Sequence, residues 1–294
     1  MSLWESYQQP TSLDEALTIL DQETSTALIA GGTDLLLDLR QKRHAPVHTL
    51  IDVSGIPELL RLHANEEHVF IGAAVTHHTI IHHPDVKKHA PGLVEACELI
   101  GGPQVRNVAT LGGNVGHALP AGDGSIALVS LAAEAQLASV DGKRWTPVHA
   151  LYAGPGEATF DRSREMIVGF RFPVRKSLEG HAFSRVMRPQ GVAIAILNMG
   201  IWMSLHADGR VRKARISAGP GGPTPFRASE AEKQLDDAEW SETTRTAVLD
   251  AIRSEIKLRT SRHRATLEYR QHLTVVLFER VAEMAYARAR TFQA

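Results

Sequence analysis

At 294 residues the chain exceeds one ordinary domain and is long enough for two halves that each bury a core. It is 43% hydrophobic and 22% charged, and its 32 basic and 33 acidic residues leave a net charge of −1. That balance carries no basic excess of the kind a duplex-binding protein shows, so nucleic acid is not an expected partner. The N-terminus has no basic region followed by an apolar core, so no signal peptide is read. The longest apolar run, 192–205, is about 14 residues and carries Asn198 and Ser204. A bilayer span needs roughly 20 residues. A cytoplasmic protein without a membrane span is therefore expected. One cysteine, Cys97, excludes an internal disulfide and any cysteine-ligated iron–sulfur cluster held by this chain alone.

Ser12 and Glu15 form a capping-box pattern ahead of Leu13, Ala16, Leu17 and Leu20, which predicts a short helix. A short apolar run at 26–30 ends at a Gly-Gly pair and reads as a buried strand, followed by a helical turn at 35–40. Strands are predicted at 48–53 and 68–71, with a Pro-Glu-Leu-Leu turn of helix between them. A helix over 85–100 is broken or bent near Pro91-Gly92. Residues 105–111 read as extended up to a second Gly-Gly pair. A helix at 125–133 and strands at 136–140 and 166–172 complete this half.

The apolar pattern is interrupted at 173–180, the predicted boundary between a domain at 1–176 and one at 177–294. Three strands follow, at 182–187, 192–205 and 211–218, the last two joined by a hairpin turn at Ala207-Asp-Gly-Arg. The stretch 219–225, rich in glycine and proline, is a loop, and helices are predicted at 228–235, 241–258 and 265–290. Both halves are α+β.

Two segments share one design: an apolar run, a Gly-Gly pair, then a small polar residue. The first is Ala30-Gly31-Gly32-Thr33-Asp34 and the second Thr110-Leu111-Gly112-Gly113-Asn114. Paired glycines lack Cβ and reach φ > 0, so adjacent backbone N–H groups can point at one anion, and two such loops could cradle a pyrophosphate. Neither segment fits the dinucleotide fingerprint, and no phosphate-binding G-x-x-x-x-G-K-[ST] occurs, so the Rossmann and P-loop readings both fail. Taken alone, each pair is equally consistent with an ordinary tight turn.

With Pro120-Ala-Gly-Asp123 downstream, these two segments resemble the FAD-binding segments of the medium subunits of molybdenum hydroxylases. That family includes xanthine dehydrogenases, carbon monoxide dehydrogenases and related aldehyde or aromatic hydroxylases. Met166-Ile-Val-Gly-Phe-Arg-Phe-Pro173 is similar to the strand ending the flavin domain of that family, and the stretches 216–228 and 268–273 to its C-terminal domain. The resemblance runs nearly the whole chain. It implies a two-lobed FAD-binding domain of the vanillyl-alcohol-oxidase/PCMH type, then a small domain with a three-stranded antiparallel sheet and helices.

The resemblance further implies that Ile29, Ala30, Gly31, Gly32, Thr33, Asp34 and Leu35 wrap the FAD pyrophosphate. Thr110, Gly112, Gly113 and Asn114 would meet it from the other side, and His117 would touch the cofactor. Asp123 would bond FAD hydroxyls, a role its two acceptor oxygens suit. It could equally cap the following helix, or do both. Met166 and Ile167 would pack beside the adenine or flavin, or simply build a core strand. Arg185 (or Ser184) stands where relatives bring a lysine to the isoalloxazine, and a guanidinium there would favour reduced flavin by charge attraction. FAD would be held noncovalently. Flavin electron transfer needs no catalytic triad, so no catalytic side chain is expected in this chain. The molybdenum cofactor and [2Fe-2S] clusters would lie on a large and a small partner subunit, in a dimer of heterotrimers.

The alternatives are a free-standing FAD-dependent oxidoreductase of the same superfamily and a scaffold that has lost FAD. His78 and His82, four apart, would share a helical face, but no third ligand stands out, so no metal site is expected. Cys97 reads as a buried helix residue. Arg106 reads as a phosphate contact or an ion-pair partner.

Overall fold

The computed structural model describes residues 2–188, 194–262 and 264–294. The first lobe is a small parallel sheet with strand order β1-β3-β2, from β1 (Ser6–Gln8), β2 (Thr26–Ile29) and β3 (Thr49–Asp52). Helix α1 (Leu13–Gln22) lies between β1 and β2, and α2 (Leu35–Arg40) between β2 and β3. At the start of α1 the Ser12 hydroxyl accepts the Glu15 N–H at 3.2 Å, while Glu15 reaches back to the Thr11 N–H at 2.7 Å. The capping box thus closes one residue earlier than its usual form. The run at 26–30 is not the buried centre of this sheet but an edge. Leu50 and Ile51 of β3, fully buried, hold the centre because β3 is flanked on both sides.

The second lobe is an antiparallel sheet of order β4-β5-β10-β6-β7. Its strands are β4 (Leu62–Ala64), β5 (His68–Gly72), β6 (Glu134–Ser139), β7 (Gly142–Pro147) and β10 (Met166–Pro173). A two-stranded ribbon, β8 (Tyr152–Gly154) with β9 (Glu157–Ala158), sits between β7 and β10 in the chain. Six helices connect β5 to β6: α3 (His77–His82), α4 (Pro84–His89), α5 (Pro91–Leu99), α6 (Pro103–Arg106), α7 (Leu111–Gly116) and α8 (Asp123–Ser130). The predicted break near Pro91 separates α4 from α5, and Cys97 is fully buried on α5. Residues 105–111 are not extended as expected. Pro103 opens the short helix α6, and Thr110 N-caps α7, so the second Gly-Gly pair lies inside a helix.

The chain then builds a four-stranded sheet, β11 (Glu179–Met187), β12 (Ala195–Leu205), β13 (Val211–Gly219) and β14 (Phe226–Arg227), where three strands were expected. The fourth is a two-residue strand after the glycine–proline loop, pairing Phe226 with Ala218, too short to leave a periodic signal. The hairpin turn at 207–210 is present: His206 N–H meets Arg210 O at 2.8 Å and Gly209 has φ +90°. Residues 192 and 193 of the predicted second strand lie outside the described residues. Helices α9 (Ser229–Lys233), α10 (Glu242–Glu255) and α11 (Leu267–Thr291) follow.

Alternation along β11 splits its side chains between two cores. Ala182 faces the C-terminal core with Phe278 and Val281 of α11, while Phe183 joins the core of the second lobe. The sheet is therefore sandwiched between α11 on one side and α5 and α8 on the other. Polar contacts stitch that second seam. Ser217 donates to the Ile126 carbonyl at 2.7 Å, and Ser130 lies 2.9 Å from His181 Nε2. Among the described residues, no helix is long and apolar enough to cross a membrane.

Candidate functional site

The first glycine segment leaves β2 at Ile29 and turns into α2. Gly32 sits at φ +65°, a left-handed conformation costly for any residue with a Cβ. Gly31 is required for a different reason. A Cβ there would overlap the Val108 carbonyl oxygen and fall 2.7 Å from Val108 C and 2.8 Å from Ala109 Cα. The loop backbone thus rests directly on the segment leading into α7. Asp34, the N-cap of α2, makes no side-chain cap. Among the described residues, no hydrogen bond uses the backbone N–H of Gly31, Gly32, Thr33 or Asp34. Four consecutive donors, partly exposed and unpaired, are a ready receptor for an anion.

The second segment lies against the first but does not share its chemistry. Its donors from Leu111 to Asn114 are taken up within the fold. Leu111 N–H donates to Val75 O at 3.1 Å, Gly112 N–H to Ala73 O at 2.9 Å, Gly113 N–H to Thr110 Oγ1 at 3.0 Å, and Asn114 N–H to Thr110 O at 3.0 Å. The expectation of two backbone nests is corrected to one. Gly112 is a packing residue, since a Cβ there would lie 2.6 Å from Ala73 Cβ. Asn114 turns its side chain to the start of α8, where Oδ1 accepts the Ser125 N–H at 3.3 Å. His117, the C-cap of α7, ties the two segments together. Its Nδ1 lies 3.7 Å from Asp34 Oδ2 and its Nε2 3.3 Å from Asp38 Oδ2 of α2.

Asp123 is buried at the first turn of α8 and is not the cap, a place held by Gly122. Its carboxylate pairs with the Arg185 guanidinium and accepts from Asn198 Nδ2 at 2.7 Å. Burial pushes the carboxyl up to about 6, against the opposing pull of Arg185 and Asn198. Arg185 also donates to the Leu99 carbonyl, and its side chain is 3% exposed. This cluster joins the N-terminus of α8 to β11 and β12. Two of its atoms, Arg185 Nε and Asn198 Oδ1, are buried and have no partner among the described residues.

The remaining expected residues are placed as follows. Ile29 and Leu35 belong to a small apolar cluster beneath the first loop. Met166 and Ile167 are core residues of β10; Ile167 Cδ1 reaches within 3.8 Å of a Cβ built on Gly116, at the end of α7. Among the described residues Arg106 forms no ion pair, and it donates to the Ile100 and Gly101 carbonyls at 3.1 and 2.8 Å. The His78 and His82 ring centroids lie 4.3 Å apart on α3, with the ring planes tilted by 40°. Two participants escape a motif-based reading: Val108, whose backbone supports the nest, and Asn198. A lone amide inside the apolar run at 192–205 was the available signal for Asn198.

A family model described as the FAD-binding domain in molybdopterin dehydrogenase matches residues 3–175, and one described as the CO dehydrogenase flavoprotein C-terminal domain matches 181–285. The chain is 31% identical to the putative xanthine dehydrogenase FAD-binding subunit of Escherichia coli K12, over 97% of both chains. It is also 31% identical to the nicotine 6-hydroxylase medium subunit of Paenarthrobacter nicotinovorans, over 96% of this chain and 97% of that one. Among solved structures, a chain of carbon monoxide dehydrogenase from Hydrogenophaga pseudoflava superposes with TM-score 0.90 at 28% identity, covering 97% of this chain and 98% of that chain.

Proposed function

The chain belongs to the family of FAD-binding medium subunits of xanthine and carbon monoxide dehydrogenases, and we propose on that premise that it is the electron-transfer flavoprotein of a multi-subunit molybdenum hydroxylase. The single observation that carries the reading is the row of unpaired N–H groups from Gly31 to Asp34, held on the backbone of residues 108–109. Those donors suit the phosphate oxygens of FAD, each charge-assisted hydrogen bond contributing about 1.5–3 kcal/mol. The unpartnered Arg185 Nε and Asn198 Oδ1 supply a donor and an acceptor for the polar edge of the same cofactor.

When bound, FAD supplies the redox chemistry. The residues of this chain bind, orient and bias it. Gly31, Gly32, Thr33 and Asp34 hold the diphosphate, with Ile29, Ala30 and Leu35 shaping their backbone. Thr110, Gly112, Gly113 and Asn114 act by building α7 as the wall on which the loop rests, and His117 clamps that wall to α2. Asp123 keeps free lone pairs for a cofactor hydroxyl beside its bonds to Arg185 and Asn198. Arg185 sets the local charge through Asp123. Ile167, with Met166 behind it, offers apolar surface at the end of α7.

Electrons would come from [2Fe-2S] clusters on a small partner subunit, the molybdenum cofactor residing on a large one, in a cytoplasmic assembly. This chain, with a single buried cysteine, carries no cysteine set for a cluster of its own. The test is reconstitution with FAD and stopped-flow mixing with the reduced partner subunits, following the flavin absorbance. Rapid bleaching that requires both partners supports the proposal. Turnover of an organic substrate by the isolated flavoprotein would instead favour a free-standing oxidoreductase.

A further inference from the structure

Arg270, in the first turns of α11, is 3% exposed, and its Nε has no hydrogen-bond partner among the described residues. Among the described residues it forms no ion pair, and neither do Arg188, Arg259 or Arg264. Buried arginines are ordinarily paired, because an uncompensated buried charge is costly. Here the neighbours add like charge. Arg264 sits on a turn closed by the Ser261–Ala265 bridge, and the turn is clipped to α11 by Leu267 N–H donating to Thr260 Oγ1 at 3.0 Å. Arg188, at the end of β11, donates from Nη2 to the Arg264 carbonyl at 3.2 Å. Burial, then the Arg264 and Arg259 charges within electrostatic range, lower the pKa of Arg270. Glu268, the acid nearest in sequence, has its carboxyl held below the usual value by its own backbone N–H and the Thr266 hydroxyl. The N-terminus of α11, a long helix, adds positive potential of its own.

We propose that Arg188, Arg259, Arg264 and Arg270 form a binding site for a phosphoanion at the N-terminus of α11. Guanidinium forks match phosphate oxygens two at a time. A carboxylate would neutralise one cation of four, whereas a phosphate or diphosphate brings two charges or more. The shared chemistry is the phosphoryl group, arriving either as a free anion or as part of a nucleotide. The site lies on the C-terminal sheet and its helices and requires nothing of the proposed FAD cradle.

The test is isothermal titration of the full chain, at fixed ionic strength, with inorganic phosphate, pyrophosphate and ADP-ribose, against a sodium chloride control. Flavin content and circular dichroism are recorded on every sample, so loss of this site is separable from loss of FAD. Saturable one-to-one binding is expected. Arg264→Gln and Arg259→Gln should each weaken it at least tenfold with flavin content unchanged, and Arg259 is exposed, so its replacement leaves the core intact. Tighter binding of ADP-ribose than of pyrophosphate assigns the site to a nucleotide; equal or weaker binding assigns it to a free phosphoanion. Absence of saturable binding, binding that survives both substitutions, or equal competition by chloride would overturn the proposal.

Discussion

The most direct perturbation of the proposed FAD cradle is a single methyl group, Gly31→Ala. The new Cβ would overlap the Val108 carbonyl oxygen and approach Val108 C to 2.7 Å and Ala109 Cα to 2.8 Å. Every obstructing atom is backbone, so no rotamer change relieves the clash. Ordinary carbon contacts begin near 3.5 Å, so the loop must lift by roughly 1 Å. Overpacking of this kind costs about 1–3 kcal/mol of stability. The displaced N–H groups would lose two charge-assisted bonds worth about 1.5–3 kcal/mol each, which is ~10²-fold or more in FAD affinity. Gly113→Ala is the matched control. Its Cβ would meet only Thr110 Oγ1, at 3.2 Å, and its N–H already serves that hydroxyl. FAD stoichiometry from absorbance, a titration of the apoprotein and a thermal melt check both variants. Wild-type retention in Gly31→Ala, or equal loss in a folded Gly113→Ala, would refute the single-nest account.

Three further outcomes follow from the seam and the site. Arg185→Met strands the buried Asp123 carboxylate and should destabilise the chain by about 3–5 kcal/mol in urea unfolding, with much of the loss recovered by adding Asp123→Leu; no coupling between the two would show the pair to be energetically idle. His77 and His181 are buried, and burial lowers their pKa to about 4 and about 3. The folded state therefore binds fewer protons than the unfolded one below pH ~6.5, and stability falls as pH drops from there toward 4, by roughly 3 kcal/mol or more per group. The raised carboxyl of Asp123 acts in the opposite sense between about 4 and 6 but is one group against two. Melting temperatures at neutral pH and near pH 4.5 should diverge more in wild type than in His181→Gln, and equal divergence would contradict the assignment. His117→Ala unclamps α7 from α2; because the imidazole is 31% exposed, the effect is held to ~1 kcal/mol, or about fivefold faster FAD release in a displacement assay.

Periodicity and punctuation in the chain were enough to locate the helices α1, α2, α10 and α11, the long strands β10, β12 and β13, and the break near Pro91, because each depends on contacts a few residues apart. The motif at 30–36 was likewise legible, since a left-handed Gly32 is a local property of the backbone. Local signals failed where a distant partner made the decision. Residues 26–29 look like a buried strand but lie at an edge, since β3 took the centre. Gly112 and Gly113 carry the same letters as Gly31 and Gly32, yet their N–H groups are consumed by Ala73, 39 residues back from Gly112, and by the Thr110 cap. Asp123 reads as a free carboxylate until Arg185 and Asn198 arrive from another sheet and bury it. Sequence alone marked the two glycine segments as candidates, because glycine pairs and caps act within a turn. Only the tertiary structure decided which of those donors remain unpaired for a ligand, because hydrogen-bond satisfaction is settled by whatever the fold brings alongside.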